Sequence, residues 1–182
     1  MKAVVLESDR TTLRPVTADD IDELSAIRSK PEVARWWRAR TADEVHREWV
    51  KALDEGEAHW TVWADDRRIG FVQAYEEVED DFRHAGIDIY LDPTVHGRGY
   101  GREATARVAR FLFEDLDHHR VIIDPTASNS VAVRCYEGVG FKRVGIMREY
   151  WFDHAEQRWA DGLLMDLLPG DLRSADIAAR SN

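Results

Sequence analysis

Three glycines lie at alternating positions in the stretch VHGRGYGREA: Gly97, Gly99 and Gly101. Each glycine costs more backbone entropy on folding than alanine would, so their concentration needs a reason. They lie between an extended apolar pattern that ends at Asp92 and a helical pattern that begins near Gly101. Unpaired N–H groups at a helix N-terminus bind phosphate oxygens, and glycines let a bulky ligand approach the backbone. The stretch therefore predicts an anion-binding loop.

Arg98 and Arg102 add positive charge to this loop. The spacing excludes two nucleotide motifs. The Walker A motif ends in Gly-Lys-Ser/Thr, whereas Gly-Arg-Glu stands here, and the dinucleotide motif G-x-G-x-x-G differs from the G-x-G-x-G of this loop. A structural turn and another kind of nucleotide site stay open as alternatives.

A second motif lies in the stretch NSVAVRCYEGVGF. Asn129, Ala132 and Tyr136 are spaced i, i+3 and i+7, so they share one helix face, and Gly140 and Phe141 then turn the chain into a strand. An inward-facing Asn and Tyr need partners for their polar tips. The motif therefore indicates a second element that contacts a ligand.

With these two motifs the chain resembles the GCN5-related N-acetyltransferase (GNAT) superfamily over residues 10 to 168. The phosphate loop of that family reads Gln/Arg-x-x-Gly-x-Gly/Ala and is matched by His96, Gly99 and Gly101, with His96 departing from the usual first residue. The later family signature, Asn-x-x-Ala-x-x-x-Tyr-x-x-x-Gly-Phe, is matched in full between Asn129 and Phe141.

The resemblance implies an α/β fold, the GNAT fold: a mixed central sheet of about seven strands with helices on both faces, splayed at the acetyl-CoA site. It implies acetyl-CoA as co-substrate. No metal is expected, because the residues show no cluster with metal-ligand spacing. The pyrophosphate would bind the N–H groups of the loop, and the pantetheine arm would pair with the open edge of the IDIYL strand. The cofactor-binding residues implied are Ile89, Tyr90, Leu91, His96, Gly97, Arg98, Gly99, Tyr100, Gly101, Arg102, Asn129, Ala132 and Tyr136.

Acetylation of an amine needs a base for its proton, a donor for the oxyanion and an acid for the departing thiolate. Tyr136 matches the tyrosine acid of the family, and a backbone N–H near Leu91 is the expected oxyanion donor. Asp88 and Asp124 are the candidate bases, acting directly or through water. Both are expected at strand ends that face the cleft, where polar residues that merely bind a turn are also common.

A closer resemblance, to bacterial aminoglycoside 6′-N-acetyltransferases, is carried by the stretches IGFVQAY, GIDIYL, IIDP and RCYEGVGF. Those enzymes receive the ammonium groups of a polycationic sugar on acidic groups at the positions of Asp88 and Asp124. Trp36 and Trp37 are candidates to stack on a sugar ring or to lie in the core. The substrate-binding residues implied are Trp37, Gln73, Tyr75, Asp88 and Asp124.

Other functions stay open. The ending REYWFDHAEQRWADGLLMDLL also resembles protein N-terminal and ribosomal-protein acetyltransferases, which bind an extended peptide. A non-catalytic acyl-CoA sensor is a further alternative, against which Tyr136 argues because a pure binder needs no acid there.

The composition agrees with a cationic substrate, although many acidic proteins are simply soluble ones. The chain has 25 Lys and Arg against 35 Asp and Glu, a net charge of −10, which disfavours nucleic acid as a partner. No apolar run has membrane-spanning length and the N-terminus lacks a signal-peptide core, so a cytoplasmic location is expected. The acidic run EEVEDD (76–81) is predicted to be either a solvated loop or a negative rim of the cleft.

Two isolated features are predicted to be structural. Cys135, the single cysteine, lies about 100° around the helix from Tyr136 and is expected to be a small buried hydrophobe rather than an acetyl carrier. The run DHH (117–119) lacks a partner cluster with metal-ligand spacing and is predicted to be a solvated helix end.

The elements that must position these residues are read from periodicity and caps. The predicted order is β-α-α-β-β-β-α-β-α-β-β, a layered α/β domain over residues 1–182 with a core at 10–168 and a tail at 169–182. Thr17–Asp20 and Thr41–Glu44 have capping-box spacing, and the second helix carries a stripe of Val45, Trp49 and Leu53. The final hairpin offers an edge strand, and a monomer or homodimer is expected.

Overall fold

The computed structural model describes residues 1–37, 41, 43–47, 58–154 and 156–173. These residues form one mixed sheet in the order β1-β2-β3-β4-β5-β6-β8-β7, in which β5 and β6 are parallel and the other neighbours antiparallel. The strands are β1 (Leu6–Glu7), β2 (Thr12–Pro15), β3 (Ala58–Ala64), β4 (Arg67–Glu77), β5 (His84–Leu91), β6 (Val121–Ile123), β7 (Lys142–Asp153) and β8 (Arg158–Leu167). The sheet has one strand more than the predicted seven. The extra strand is β1, whose two residues are too few to form a pattern and are held by pairing with β2.

The α-helices with both ends described are α1 (Ile21–Arg28), α2 (Pro31–Ala34), α3 (Tyr100–Glu114) and α4 (Ser130–Val139). Residues 43–47 are also helical. Strands and helices follow the predicted order, and the α/β fold class is confirmed. None of the described helices is long and apolar enough to cross a membrane.

Both predicted helix caps are present, because their hydrogen bonds join residues only three positions apart. The carboxylate of Asp20 accepts hydrogen bonds from the Thr17 N–H and hydroxyl at 2.8 and 2.9 Å. Glu44 accepts in the same way from Thr41, whose hydroxyl oxygen accepts the Glu44 N–H at 3.3 Å. Val45 of the predicted stripe is buried, while its partners Trp49 and Leu53 lie outside the described residues.

Both faces of the sheet are covered, by different helices. Side chains alternate between the faces of a strand, so Val72 and Ile87 join the core that includes α3 and α4. Phe71 and Tyr90 point the other way and pack with Leu24 of α1. Residues on the Phe71 side of the sheet therefore share one surface with α1 and α2, and this surface is called the α1 face below.

The sheet opens between β5 and β6. These strands pair only at Ala85–Val121 and Gly86–Ile122, although β5 continues to Leu91 in register with β4. Beyond Gly86, β5 has no strand on its β6 side within the described chain. This gap is the splay predicted for the sheet.

One local prediction was wrong, and one alternative is removed. His118 is not a solvated residue at a helix end: its side chain is fully buried, and its Nε2 lies 2.8 Å from Oε1 of Glu76. Glu76 leads the acidic run but points away from the α1 face, so it cannot belong to a rim there. Within the predicted tail, the Arg173 N–H donates to the Val139 carbonyl at 3.0 Å.

Candidate active site

The open edge of β5 presents backbone groups at every second residue. The Ala85 N–H donates toward β6, to Arg120, whereas the Asp92 N–H donates toward β4, to Ile69. By strand alternation, the N–H and C=O groups of Ile87, Ile89 and Leu91 point into the gap. Those of Tyr90 point to β4, so of the three residues predicted to pair with pantetheine only Ile89 and Leu91 offer their backbone there.

The glycine loop follows this edge and leads into α3. Gly97 and Gly99 have φ values of +75° and +87°, and Gly99 is the left-handed N-cap of the helix. Residues with a side chain rarely adopt this conformation, which explains two of the three glycines. Gly101 instead lies close to Leu91 and Cys135, where a Cβ would just touch both side chains. The loop thus places the first turn of α3 next to Leu91, at the end of the open edge.

A clasp fixes this loop from outside, and sequence reasoning missed both of its members. Buried Glu103, in the first turn of α3, accepts the N–H groups of Arg10 and Thr11 at 2.7 and 2.9 Å. The Arg10 guanidinium bonds Glu103 at 2.9 and 2.8 Å and donates to the Arg98 carbonyl at 2.9 Å. It also lies 5.0 Å from the centre of the Tyr100 ring. No short-range pattern joins residues 93 positions apart, so the sequence carries no signal for this clasp.

His96, the residue that departs from the family loop, contacts the open edge directly. Its Nε2 lies 3.0 Å from the Leu91 carbonyl oxygen, which can only accept, so Nε2 carries the hydrogen. The exposed side chains of Arg98 and Arg102 flank the loop, and Arg102 lies against Gly138 of α4. These contacts place all the predicted loop residues around one helix end.

The second motif lies beside the loop but begins differently from the prediction. Asn129 precedes α4 as its N-cap, and its side-chain oxygen accepts the Ala132 N–H at 3.2 Å. Ala132 is half-buried against the core, and Tyr136 is buried at 7% exposure. Burial raises the pKa of the Tyr136 hydroxyl above its ordinary value, and the charges of Cys135, Asp88 and Asp124 raise it further. The Tyr136 hydroxyl is therefore protonated at neutral pH.

A polar wall lies on the α1 face, at the splay. Gln73 and Asp88 are cross-strand partners, and the Gln73 amide donates to the Asp88 carboxylate at 2.8 Å. Tyr75 pairs with Gly86, and its ring covers the space that a Cβ at Gly86 would need. Burial, assisted by Asp88 and then Asp124, raises the pKa of Tyr75, so the wall holds a neutral phenol beside its carboxylates.

Asp124 completes this wall from the other side of the gap. It directly follows β6, whose Ile123 points into the core, so Asp124 lies on the α1 face with Asp88. Burial, assisted by the charge of Asp124, raises the pKa of Asp88 to about 6, and the hydrogen bond from Gln73 opposes part of this rise. The structure thus brings together the two aspartates that the sequence singled out. Asp124 follows a strand end as predicted, whereas Asp88 lies within β5 and not at its end.

Tyr150 of β7 also reaches this wall, and sequence reasoning missed it. Its hydroxyl is hydrogen-bonded to Asp124, which together with partial burial raises the pKa of Tyr150 to about 12. The only sequence signal was an aromatic residue within the final hairpin.

Trp37, the remaining predicted residue, is partly buried and packs against the core of the α1 face. Its ring lies edge-on to Tyr90 and Phe71 at centroid distances of 5.0 and 6.3 Å. Phe71 and Tyr90 are the strand neighbours of Gln73 and Asp88, so Trp37 supports the wall from one side. Of the two roles left open for it, core packing is the one seen.

The site can hold two ligands on opposite faces of the sheet at the gap: a phosphate-bearing one on the α3 face and a cationic one on the α1 face. The fit to coenzyme A rests on the open edge of β5 and on the glycine turn that begins α3 beside the end of that edge. The described residues include no group of three or more His, Cys, Asp or Glu side chains placed to hold a metal ion.

Comparison with known proteins agrees with this geometry. The family described as "Acetyltransferase (GNAT) domain" matches residues 10–142. The chain is 28% identical over 158 residues to an aminoglycoside N(6′)-acetyltransferase type 1 of Klebsiella pneumoniae, covering 78% of this chain and 79% of that protein.

Two solved structures share the fold. The ribosomal-protein-S5-alanine acetyltransferase of Vibrio fischeri has a TM-score of 0.78 at 17% identity, covering 93% of this chain and 99% of that one. The spermidine N-acetyltransferase of Vibrio cholerae, in complex with CoA and spermine, has a TM-score of 0.75 at 24% identity, covering 89% and 97%. With a family match over most of its length and a splayed sheet beside a glycine loop, this chain belongs to the GNAT acetyltransferase family and is an acetyl-CoA-dependent N-acetyltransferase.

Proposed function

We propose that this enzyme acetylates a primary amine of a polycationic, aminoglycoside-like small molecule by direct attack on the thioester. The observation that carries the proposal is the pair of carboxylates, Asp88 and Asp124, that face the splay from β5 and β6. Two nearby carboxylates attract a substrate that bears more than one ammonium group. The 28% identical aminoglycoside acetyltransferase supports the same substrate class.

The acetyl donor would lie at the gap on the face of the sheet that α3 covers. The N–H groups of the loop from Arg98 to Arg102 would hold its pyrophosphate, and the backbone groups of Ile89 on the open edge would pair with its pantetheine arm. Acetyl-CoA supplies an acetyl group activated as a thioester. The Leu91 N–H, which points into the gap, is the donor for the negative charge that develops on the acetyl oxygen.

The acceptor would lie against the polar wall. Asp88 takes the proton that the amine loses, because a carboxylate with a pKa of about 6 is ionised at neutral pH yet basic enough to bind a proton. Asp124 binds a second ammonium group. As the new N–C bond forms and the C–S bond breaks, the Tyr136 hydroxyl gives its proton to the departing sulfur.

A coenzyme A release assay tests this proposal with acetyl-CoA and three acceptor panels: aminoglycosides, polyamines, and peptides with free N-termini. We expect turnover on kanamycin-like amines. Asp88→Asn should lower kcat about 10²-fold or more, as loss of a general base does. Asp124→Asn should mainly raise the acceptor KM. Asp117→Asn, which removes an exposed carboxylate elsewhere, is the matched control and should leave both constants unchanged.

Turnover on peptides alone would contradict the proposed acceptor and favour the protein N-terminal or ribosomal-protein class, which the Vibrio fischeri likeness also represents. Binding of acetyl-CoA without turnover on any panel would favour the acyl-CoA sensor. The cytoplasmic location, the monomeric or homodimeric state and the lack of nucleic-acid partners stay predictions.

A further inference from the structure

The strand β7 contains a bulge opposite Gly162. Met147 pairs with Gly162 and Trp151 with Ala160, so four steps along β7 match only two along β8. Within the bulge Glu149 has a φ of +50°, and its N–H donates to Oδ1 of Asp161 at 2.9 Å. Bulges of this kind re-aim a side chain, and here the re-aimed side chain is Tyr150.

The bulge is joined to the segment that carries Asp124. The Leu163 N–H donates to the Pro125 carbonyl at 2.8 Å, and the Ala127 N–H donates to the Asp161 carbonyl at 2.9 Å. Gly162 forms a bridge with Thr126 between these two bonds. The position of Tyr150 relative to Asp124 is therefore fixed by the backbone on both sides.

The Tyr150 ring lies directly on Gly162. A Cβ at that position would come within 2.8 Å of the ring carbon Cδ1 and 2.9 Å of the Met147 side chain. The glycine thus lets the ring lie close to β8 while its hydroxyl reaches the Asp124 carboxylate. The ring is half exposed and borders the polar wall at Asp124.

We propose that Tyr150 is a positioning residue for the acceptor: its hydroxyl holds the Asp124 carboxylate in the orientation that binds the second ammonium group. The inference rests on the proposed function, because it assigns Asp124 the same role. It adds that the β7 bulge, an element remote from the glycine loop, sets acceptor affinity. A carboxylate has lone pairs for both a hydroxyl and an ammonium, so the two bonds are compatible.

The test is a double-mutant cycle of Tyr150→Phe and Asp124→Asn, measured with kanamycin or with another acceptor that the panels show to be turned over. Tyr150→Phe keeps the ring on Gly162 and should raise the acceptor KM about tenfold, the effect of losing a hydrogen bond to a charged group. The acetyl-CoA KM should change less than twofold. In the Asp124→Asn background, adding Tyr150→Phe should change the acceptor KM less than twofold.

Ile146→Val, at an exposed position of the same strand, is the control for the hairpin and should leave both KM values unchanged. Melting temperatures of all variants check the fold. The inference is wrong if Tyr150→Phe has the same effect with and without Asp124, if it raises both KM values together, or if it has no effect while Asp124→Asn does. Failure of the proposed function is a different result, in which Asp124→Asn itself leaves the acceptor KM unchanged.

Discussion

The surroundings of Asp88 disfavour its ionised form, whereas the role proposed for it as a base requires that form. Burial and the nearby Asp124 raise its pKa to about 6, and Gln73 stabilises the ionised form. A carboxyl group in a fully hydrated position would be ionised but too weak a base to take a proton from an ammonium group. The wall around Asp88 therefore matters as much as the residue itself.

The pH dependence of turnover should follow the protonation state of Asp88. Below pH 6 Asp88 is protonated and cannot accept the amine proton, so kcat should rise with pH and level off above about 7. Asp88→Asn should lack this acid limb and keep a low rate. The measurement is the pH profile of kcat with saturating acceptor, and an unchanged limb in Asp88→Asn would assign it to another group.

The stability of the fold should also depend on pH through Asp88. With a folded-state pKa of about 6 against an ordinary value of 3.8, Asp88 binds its proton more tightly in the folded chain, so its favourable contribution is lost as the pH rises through this window. Asp88→Asn should therefore raise the melting temperature at pH 8 and change it little at pH 4. Thermal melts at both pH values check this, with Asp117→Asn as control. A lower melting temperature at pH 8 would contradict it.

At the scale of elements, the glycine loop depends on a strand turn far away in the sequence. Glu103 of α3 holds the backbone before β2, and Arg10 from that segment holds the carbonyl of Arg98 in the loop. The loop is thus tied to the sheet at its outer side, while the contact of His96 with Leu91 ties its inner side. This explains how a segment with three glycines can have a fixed shape.

Glu103→Ala should uncouple these elements. It leaves the N–H groups of Arg10 and Thr11 without their acceptor, which should lower the free energy of unfolding by about 2–4 kcal/mol and weaken acetyl-CoA binding. Urea unfolding and calorimetric titration with acetyl-CoA measure the two effects. Glu114→Ala removes an exposed carboxylate from the end of the same helix, so both quantities should stay close to wild type. Unchanged acetyl-CoA affinity in Glu103→Ala would show that the loop keeps its shape without the clasp.

Across the whole molecule, features that depend on neighbouring residues were predicted from the sequence, whereas contacts between residues distant in sequence were not. The caps at Thr17 and Thr41 depend on neighbours in sequence, so they could be predicted directly. The resemblance placed Asp88 and Asp124 near each other because it carried the topology of the sheet. His118 was misread because its partner Glu76 lies 42 positions away, and Tyr150 was missed because its direction depends on a bulge set by β8.

The short contact between β5 and β6 has a consequence for amide hydrogen exchange. Two residue pairs join the halves of the sheet, so the amides of Ile89 and Leu91 should exchange quickly in the protein alone. Acetyl-CoA would supply the missing neighbour, and those amides should slow markedly on its binding, whereas amides of β3, paired on both sides, should not change. Since β5 also carries Asp88, a donor that stiffens this strand should tighten acceptor binding, and the acceptor should tighten donor binding by the same factor.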